Sequence, residues 1–312
     1  MKDILSVVSL APGELESILD ESAVMKKRLA EGVFDNLYQG KTLGMYFEKP
    51  SLRTRVSLEC AMNSLGGGAI CLEGNGPGAF WSRESVADQA RVMSRFVHLV
   101  SMRTFSQEVI EEFAREASVP VLNVLSDFAH PTQAMADFLT LREHRGDLKG
   151  KTLTYVGDGN NVARSLLSAA AFLGVRFVWS GPDGYRLDDG FVAKVRARAP
   201  GLDFVEESDP HKAVKGADAV YTDVWASMGQ EEEAARRERE FAAYQINAKL
   251  MQSAPKSAIV LHCLPAHRGV EITDDVLDGP QSRVYDQAEN RMHVYRGIFS
   301  LLAKDLKKTA GW

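Results

Sequence analysis

The sequence predicts an α/β protein made of two doubly wound parallel-sheet domains, each a three-layer αβα arrangement. Three observations carry this expectation. Short β-rich runs alternate with segments whose apolar residues recur at three- and four-residue spacing along almost the whole chain. No Asn-Gly or Asp-Gly hairpin joins two alternating runs, so successive strands should lie parallel, with helices covering both faces. The 312 residues are about twice the roughly 150 that one domain needs.

In the first half the strand candidates are TLGMYFE (42–48), AICLE (69–73), LVSMRT (99–104) and VPVLNV (119–124). In the second half they are TLTYVGD (152–158), RFVWS (176–180), DFVEE (203–207), AVYTDV (219–224) and AIVLHC (258–263). Between them, TRVSLECAMNSL, PTQAMADFLTLREH and ARSLLSAAAFLG carry helical periodicity. The segment HRGDLKGK (144–151) has two glycines, mixed charge and no apolar period, which sets the expected domains at 1–148 and 149–289. A last helix, roughly 290–308, follows the second set of strands and must pack elsewhere. In EEEAARRERE (231–240), Glu232 pairs with Arg236 and Glu233 with Arg237 at helical spacing, which reads as a solvated helix face.

Composition narrows the class. Hydrophobic residues make up 45% and charged residues 25%, as in globular proteins rather than disordered or fibrous ones. A net charge of −5 argues against a general nucleic-acid binder but leaves room for a local basic pocket. The three cysteines, Cys60, Cys71 and Cys263, form neither a disulfide framework nor a zinc pattern, and a reducing compartment fits them. The N-terminal stretch does not read as a signal peptide. The most apolar stretch, SLLSAAAFLGVRFVW, is shorter than the ~20 residues that span a bilayer and includes Arg176. The expectation is a cytoplasmic protein with no membrane partner.

In open parallel sheets ligands bind at the carboxyl ends of strands, and the unusual polar clusters all fall there. Ser51-Leu52-Arg53-Thr54-Arg55 follows the first strand and opens a helix. Free backbone N–H groups, two forked guanidinium groups and two hydroxyls at that point suit a phosphate or another multi-oxygen anion. Arg103 ends a neighbouring run and could contact a second anion or a carbonyl. His130 and Gln133 sit at the mouth of the helix begun by Pro131, both able to donate to an oxygen. Gly157-Asp158-Gly159-Asn160-Asn161 invites a dinucleotide reading, but position 162 is Val and the third glycine is missing. It reads instead as a tight turn presenting amide side chains, with Asn161 suited to a carboxylate. Asp223, ending AVYTDV, could hold an amine, with Ser227 and the Met228 backbone nearby in the chain. Cys263, in His262-Cys263-Leu264-Pro265, is either a small buried hydrophobe or a site residue. No orienting Asn or Asp marks a cysteine hydrolase, and His262 with His267 lacks a third zinc ligand.

Together these clusters resemble the aspartate/ornithine carbamoyltransferase family over nearly the whole chain. FEKPSLRTR, GDGNN, DVWASMGQE and HCLPAHRG are similar to its ornithine branch in particular. The resemblance implies two doubly wound domains joined by two helices, with the last helix (290–312) packing back on the first domain. It implies transfer of a carbamoyl group from carbamoyl phosphate to L-ornithine, an arginine-biosynthesis type of step, with no metal and no organic cofactor. It assigns Ser51, Leu52, Arg53, Thr54, Arg55, Arg103, His130, Gln133, Cys263, Leu264 and Arg291 to carbamoyl phosphate. It assigns Asn161, Asp223, Ser227 and Met228 to ornithine, and makes Arg103, His130, Asp223 and Cys263 catalytic. It also implies a homotrimer or a multiple of one, with the loop GNGPGAFWSRES (74–85) reaching a neighbouring subunit's phosphate site. Ala79 and Trp81 depart from the family pattern in that loop, with Trp81 expected to pack at an interface or to reshape the site. A related amine, N-acetylornithine or putrescine, is the alternative substrate.

Overall fold

A computed structural model describes residues 2–226 and 231–309. The chain forms two compact units, one comprising Met1–Ala136 with Glu289–Trp312, the other Asp137–Ala288.

The first unit holds four parallel strands: β1 (Thr42–Phe47), β2 (Gly68–Glu73), β3 (Leu99–Arg103) and β4 (Val121–Leu125). Its helices are α1 (Glu14–Ala30), α2 (Leu52–Asn63), α3 (Val86–Phe96) and α4 (Gln107–Glu116), followed by the start of α5 (Pro131–Arg145). Each central strand is a run of buried residues, as a sheet covered on both faces requires. Serines stop and start the helices: Ser51, Ser85 and Ser106 cap α2, α3 and α4 with their side-chain oxygens.

The strand order β2-β1-β3-β4 reverses direction between β1 and β3. That reversal opens a crevice at the carboxyl ends of these two strands, where Ser51–Arg55 and Arg103 begin and end. The β3–β4 register shifts at Met102/Arg103, a bulge that re-aims the Arg103 end of the strand.

The second unit holds β5 (Thr152–Val156), β6 (Arg176–Ser180), β7 (Phe204–Glu206), β8 (Ala219–Thr222) and β9 (Ile259–His262), all parallel. Its helices include α6 (Asn161–Leu173), α7 (Asp189–Arg198), α8 (Pro210–Ala213), α9 (Ala234–Phe241), α10 (Ala248–Met251) and α11 (Asp274–Leu277). The order β7-β6-β5-β8-β9 reverses between β5 and β8, whose carboxyl ends lead into Gly157 and Asp223. The chain leaves the first unit within α5 and returns to it within α12 (Val284–Thr309), which gives the two joining helices.

From Glu289 onward α12 packs on α1. Arg296 donates to the Met25 carbonyl at 2.6 Å, and Tyr38 donates to the Phe299 carbonyl at 2.8 Å. The approach is close because residue 297 is glycine: a Cβ there would stand 2.7 Å from the Ser22 nitrogen and 2.8 Å from its Cα. These are backbone atoms, so a methyl group would force the helices apart. Gly297→Ala is therefore expected to destabilise the first unit by about 1–3 kcal/mol, read as a lower midpoint in thermal unfolding. An unchanged midpoint would mean that the helices yield freely at this contact.

Candidate active site

Ser51 caps α2, and its hydroxyl accepts from the Thr54 N–H at 3.4 Å and donates to the Thr54 hydroxyl at 3.0 Å. The Arg291 guanidinium, arriving from α12, donates to Thr54 Oγ1 at 3.0 Å, to Gln133 Oε1 at 2.6 Å and to the Tyr295 hydroxyl at 3.0 Å. Tyr295 in turn shares a hydrogen with Thr132 at 3.2 Å. Two stretches far apart in sequence, α2 and α5, thus converge with its own helix on one arginine. That arginine is only 3% exposed, and these partners are all neutral. A buried cation held by dipoles alone is short of negative charge, and an anion would complete it.

His130 and Arg103 are buried in the same unit. Burial, reinforced by the positive charges of Arg291 and Arg103, holds the His130 imidazole well below its usual range. It is therefore neutral at physiological pH, and its ring carries one N–H. Leu52 is exposed and Arg53 half-buried at the start of α2.

Arg55 does not join this group. It is exposed and paired with Glu59 one turn on at 2.9 Å and with Glu73 of β2. The helical (i, i+4) geometry that brings Glu59 under it turns the side chain along the helix, away from the cap.

Two neighbours were not singled out from the sequence. Lys49 is buried with its ammonium 3.9 Å from the Phe105 ring centroid, its pKa lowered by burial and by Arg103. Glu48 is buried and accepts from the Gly78 N–H at 2.9 Å, the Trp81 indole at 3.1 Å and the Phe105 N–H at 2.9 Å. It fastens the 74–85 loop to the strand ends. Trp81 turns inward onto Tyr46 and Phe113, with ring centroids 5.5 and 6.3 Å away, and so packs within its own unit. Ala79 is exposed.

In the second unit Asp223 is buried at the end of β8. Its carboxylate accepts from Asn160 Nδ2 at 3.1 Å, from the Val224 N–H at 2.8 Å and from the Cys263 thiol at 2.9 Å. Asn160 also caps α6, its Oδ1 accepting from Val162 and Ala163. Asn161 is half-buried at the first position of that helix. Beneath lie Tyr155 and Tyr221, stacked at 5.7 Å, both phenols pushed well above their usual range by burial first and by nearby carboxylates second. Ser227 and Met228 lie outside the described residues.

The glycines of GDGNN have local work. Gly157 has φ +148°, and a Cβ on Gly159 would meet the backbone of Arg186 and Leu187 at 2.7 Å. The close approach that a dinucleotide would need is taken by the chain itself.

The helix read as a solvated face is corrected in one respect. Arg237 is buried and donates to Asp158 at 2.7 Å, to Glu233 at 2.9 Å and to the Trp225 carbonyl at 3.0 Å. Glu233 serves both arginines, Arg236 lying 3.1 Å away. The one-turn spacing to Glu233 was legible, but the Asp158 partner, remote in sequence, was not.

Asp223, His262 and Cys263 offer ligand atoms within 4.8 Å of one another, the spacing of a metal site. Both His262 nitrogens are engaged, however, one with the Leu264 N–H and one with Glu271, so no imidazole lone pair is left for an ion.

Comparison with known proteins identifies the family. Residues 2–143 match the carbamoyl-P binding domain of aspartate/ornithine carbamoyltransferases, and residues 149–302 match the Asp/Orn binding domain. The chain belongs to the aspartate/ornithine carbamoyltransferase family. An ornithine carbamoyltransferase of Symbiobacterium thermophilum is 47% identical over 303 residues, covering 96% of this chain and 97% of that relative. An anabolic ornithine carbamoyltransferase of Pyrococcus furiosus is 45% identical, covering 98% of each. The solved ornithine carbamoyltransferase from Pyrococcus furiosus superposes with a TM-score of 0.91 at 45% identity, covering 96% of each chain. That from Thermus thermophilus gives 0.85 at 41% identity, covering 97% and 99%.

A depressed histidine pKa has a sign. The unfolded chain takes up a proton near pH 6.5 that buried His130 refuses, so stability falls as pH drops below that value. Buried His293 and half-buried His98 shift in the same direction. Thermal unfolding is thus expected at a lower temperature at pH 5 than at pH 7, and His130→Gln is expected to shrink that difference. An equal loss in the variant would remove His130 from the balance.

Proposed function

We propose that this chain is an ornithine carbamoyltransferase that converts carbamoyl phosphate and L-ornithine to L-citrulline and phosphate. The observation that carries the reading is the buried Arg291 tied to Thr54 and Gln133 by neutral contacts alone, a place made for an anion. The full-length likeness to ornithine carbamoyltransferases supports the choice of amine.

In this reading residues 1–148 and 290–312 bind carbamoyl phosphate and residues 149–289 bind ornithine. Ser51, Leu52, Arg53, Thr54 and the α2 N-terminus cradle the phosphate, and Arg291 adds charge. Arg55, engaged with Glu59 and Glu73, contributes only if it exchanges those partners. Arg103, His130 and Gln133 hold the carbamoyl group. Asn161 with Ser227 and Met228 binds the amino-acid end, while Asp223 and Cys263 orient the δ-amine.

The chemistry follows from charge. An alkylamine near the lysine value of ~10.4 is neutral in about one molecule in 2,500 at pH 7, a cost of roughly 4.6 kcal/mol. The site must therefore select or create the neutral amine beside Asp223. Its nitrogen attacks the carbamoyl carbon, negative charge builds on the carbamoyl oxygen, and the carbon–oxygen bond to phosphate breaks. The departing phosphate takes the amine proton. Neutral His130, Arg103 and Thr54 donate to the developing oxyanion, fixed donors that need no rearrangement at the moment of reaction. Carbamoyl phosphate is already an activated acyl donor, so the residues suffice without a metal or organic cofactor.

A homotrimer in the cytoplasm is part of the same proposal. Leu52 and Val56, one turn apart on α2, are 76% and 48% exposed, and Ile70 on the edge strand β2 is 54% exposed. Such apolar surface favours cover by a neighbouring chain, and a light-scattering mass of one chain would overturn that part. Among the described residues no helix is long and apolar enough to cross a membrane.

A citrulline assay with ornithine, N-acetylornithine and putrescine tests the reading directly, and ornithine is expected to be the substrate used. Arg53→Ala is expected to lose activity by about 10²–10³-fold, the size seen when one fixed donor to a developing charge is removed. Near-normal turnover and KM in that variant would sink the phosphate cradle. Activity is expected to rise from pH 6 to 9 as the amine deprotonates, and a flat profile would remove amine chemistry from the rate-limiting step.

A further inference from the structure

The end of β9 hides a pair that the reaction as written does not use. His262 and Glu271 are both 0% exposed, with His262 Nε2 3.0 Å from Glu271 Oε1. The other ring nitrogen, Nδ1, accepts from the Leu264 N–H at 2.8 Å. A nitrogen that accepts carries no proton, so the hydrogen-bond network assigns the ring hydrogen to Nε2, which donates it to Glu271. The same Glu271 oxygen also accepts from the His267 N–H at 2.6 Å. The His262 backbone N–H is held as well, donating to Gln287 Oε1 at 2.9 Å.

Leu264 is the residue that needs this support. Its φ is 55°, the left-handed region that a non-glycine side chain rarely occupies, and such a conformation persists only where surrounding contacts over-determine it. Its neighbour Cys263 donates to Asp223 at 2.9 Å, so the turn at 263–264 decides where the thiol points. Glu271 gains little for itself. Among the described residues its second oxygen, Oε2, has no hydrogen-bond partner, and a half-satisfied buried carboxylate weakens a fold rather than strengthening it.

We infer that Glu271 is a positioning residue for carbamoyl transfer, acting through His262 on the turn that aims Cys263 at Asp223. The inference rests on the proposed role of Asp223 and Cys263 at the amine. A neutral imidazole can carry its hydrogen on either nitrogen. A buried acceptor at Nε2 selects one form and leaves the Nδ1 lone pair facing the Leu264 N–H. In the other form two donors would face each other at that point, and the left-handed Leu264 would lose the bond that holds it.

The test uses the full chain with Glu271→Leu, which removes the acceptor at similar volume, and Glu271→Gln, which keeps an acceptor oxygen. Long-range ¹H–¹⁵N NMR reads the His262 ring, steady-state citrulline formation reads the chemistry, and thermal unfolding reads the folded fraction. Wild type and Glu271→Gln are expected to show the hydrogen on Nε2. Glu271→Leu is expected to lose that signature and to fall roughly 10–100-fold in kcat/KM for ornithine, the effect typical of groups that orient a site residue. The KM for carbamoyl phosphate is expected to stay within about twofold in that variant, and Glu271→Gln to recover most of the activity. The inference is overturned if Glu271→Leu keeps the Nε2 hydrogen and the wild-type rate, or if its loss merely follows the folded fraction. If Glu271→Leu does not fold, Glu271→Gln decides: a folded Gln variant with the Nε2 hydrogen but without activity overturns it. A wild-type protein that forms no citrulline overturns the functional reading instead, while the ring signal still decides the link from Glu271 to His262.

Discussion

The first unit is organised around a buried positive charge whose hydrogen-bond partners are neutral. Arg291 meets a threonine, a glutamine and a tyrosine from α2, α5 and its own helix. A protein interior solvates a guanidinium poorly, and dipoles replace only part of what water gave. The fold tolerates this because α12 is anchored on α1 by Arg296 and the close contact at Gly297, and on the chain beyond α1 by Tyr38. Burial, reinforced by this positive charge and by Arg103, keeps His130 neutral. Charge, protonation and helix placement are thus one problem, which an anion at the α2 cap would relieve.

The second unit presents the opposite sign. Asp223 is a buried carboxylate met by an asparagine amide, a backbone N–H and a thiol. Arg237, buried in the same unit, is spent on Asp158 and Glu233. One unit therefore holds a cation satisfied by neutral acceptors, and the other holds an anion satisfied by neutral donors. On the proposed reading, the acyl phosphate would bring the anion to the first and the amine, arriving as a cation or held neutral, would meet the second.

Much of this was legible in the sequence, for a physical reason. Strands buried on both faces read as short apolar runs, and polar clusters directly after such runs mark strand ends. Ser51, Thr54, His130 and Asp223 were visible on that ground. What was hidden depends on partners remote in sequence. The strand orders that put reversals beside Ser51 and Asp223 leave no local trace. Glu48 reads as the last residue of a strand until Gly78 and Trp81 fold onto it. Asn161 is the amide expected to face the substrate, and its neighbour Asn160, which the sequence did not single out, caps α6 and reaches Asp223. The division of work between two adjacent asparagines at a helix start leaves no trace in spacing, because it depends on the turn that Gly157 and Gly159 permit.

That turn also explains how one chain can look like a nucleotide binder and not be built as one. In a dinucleotide site, glycine lets a phosphate approach the backbone. Here the space beside Gly159 is filled by the backbone at 186–187. The helix dipole of α6 is met by Asn160 Oδ1 rather than by a phosphate oxygen. With the cap satisfied internally, the remaining Nδ2 hydrogens can only donate outward, and one of them goes to Asp223. An architecture that elsewhere holds a phosphate here supports a carboxylate, the group that the proposed reading sets beside an amine.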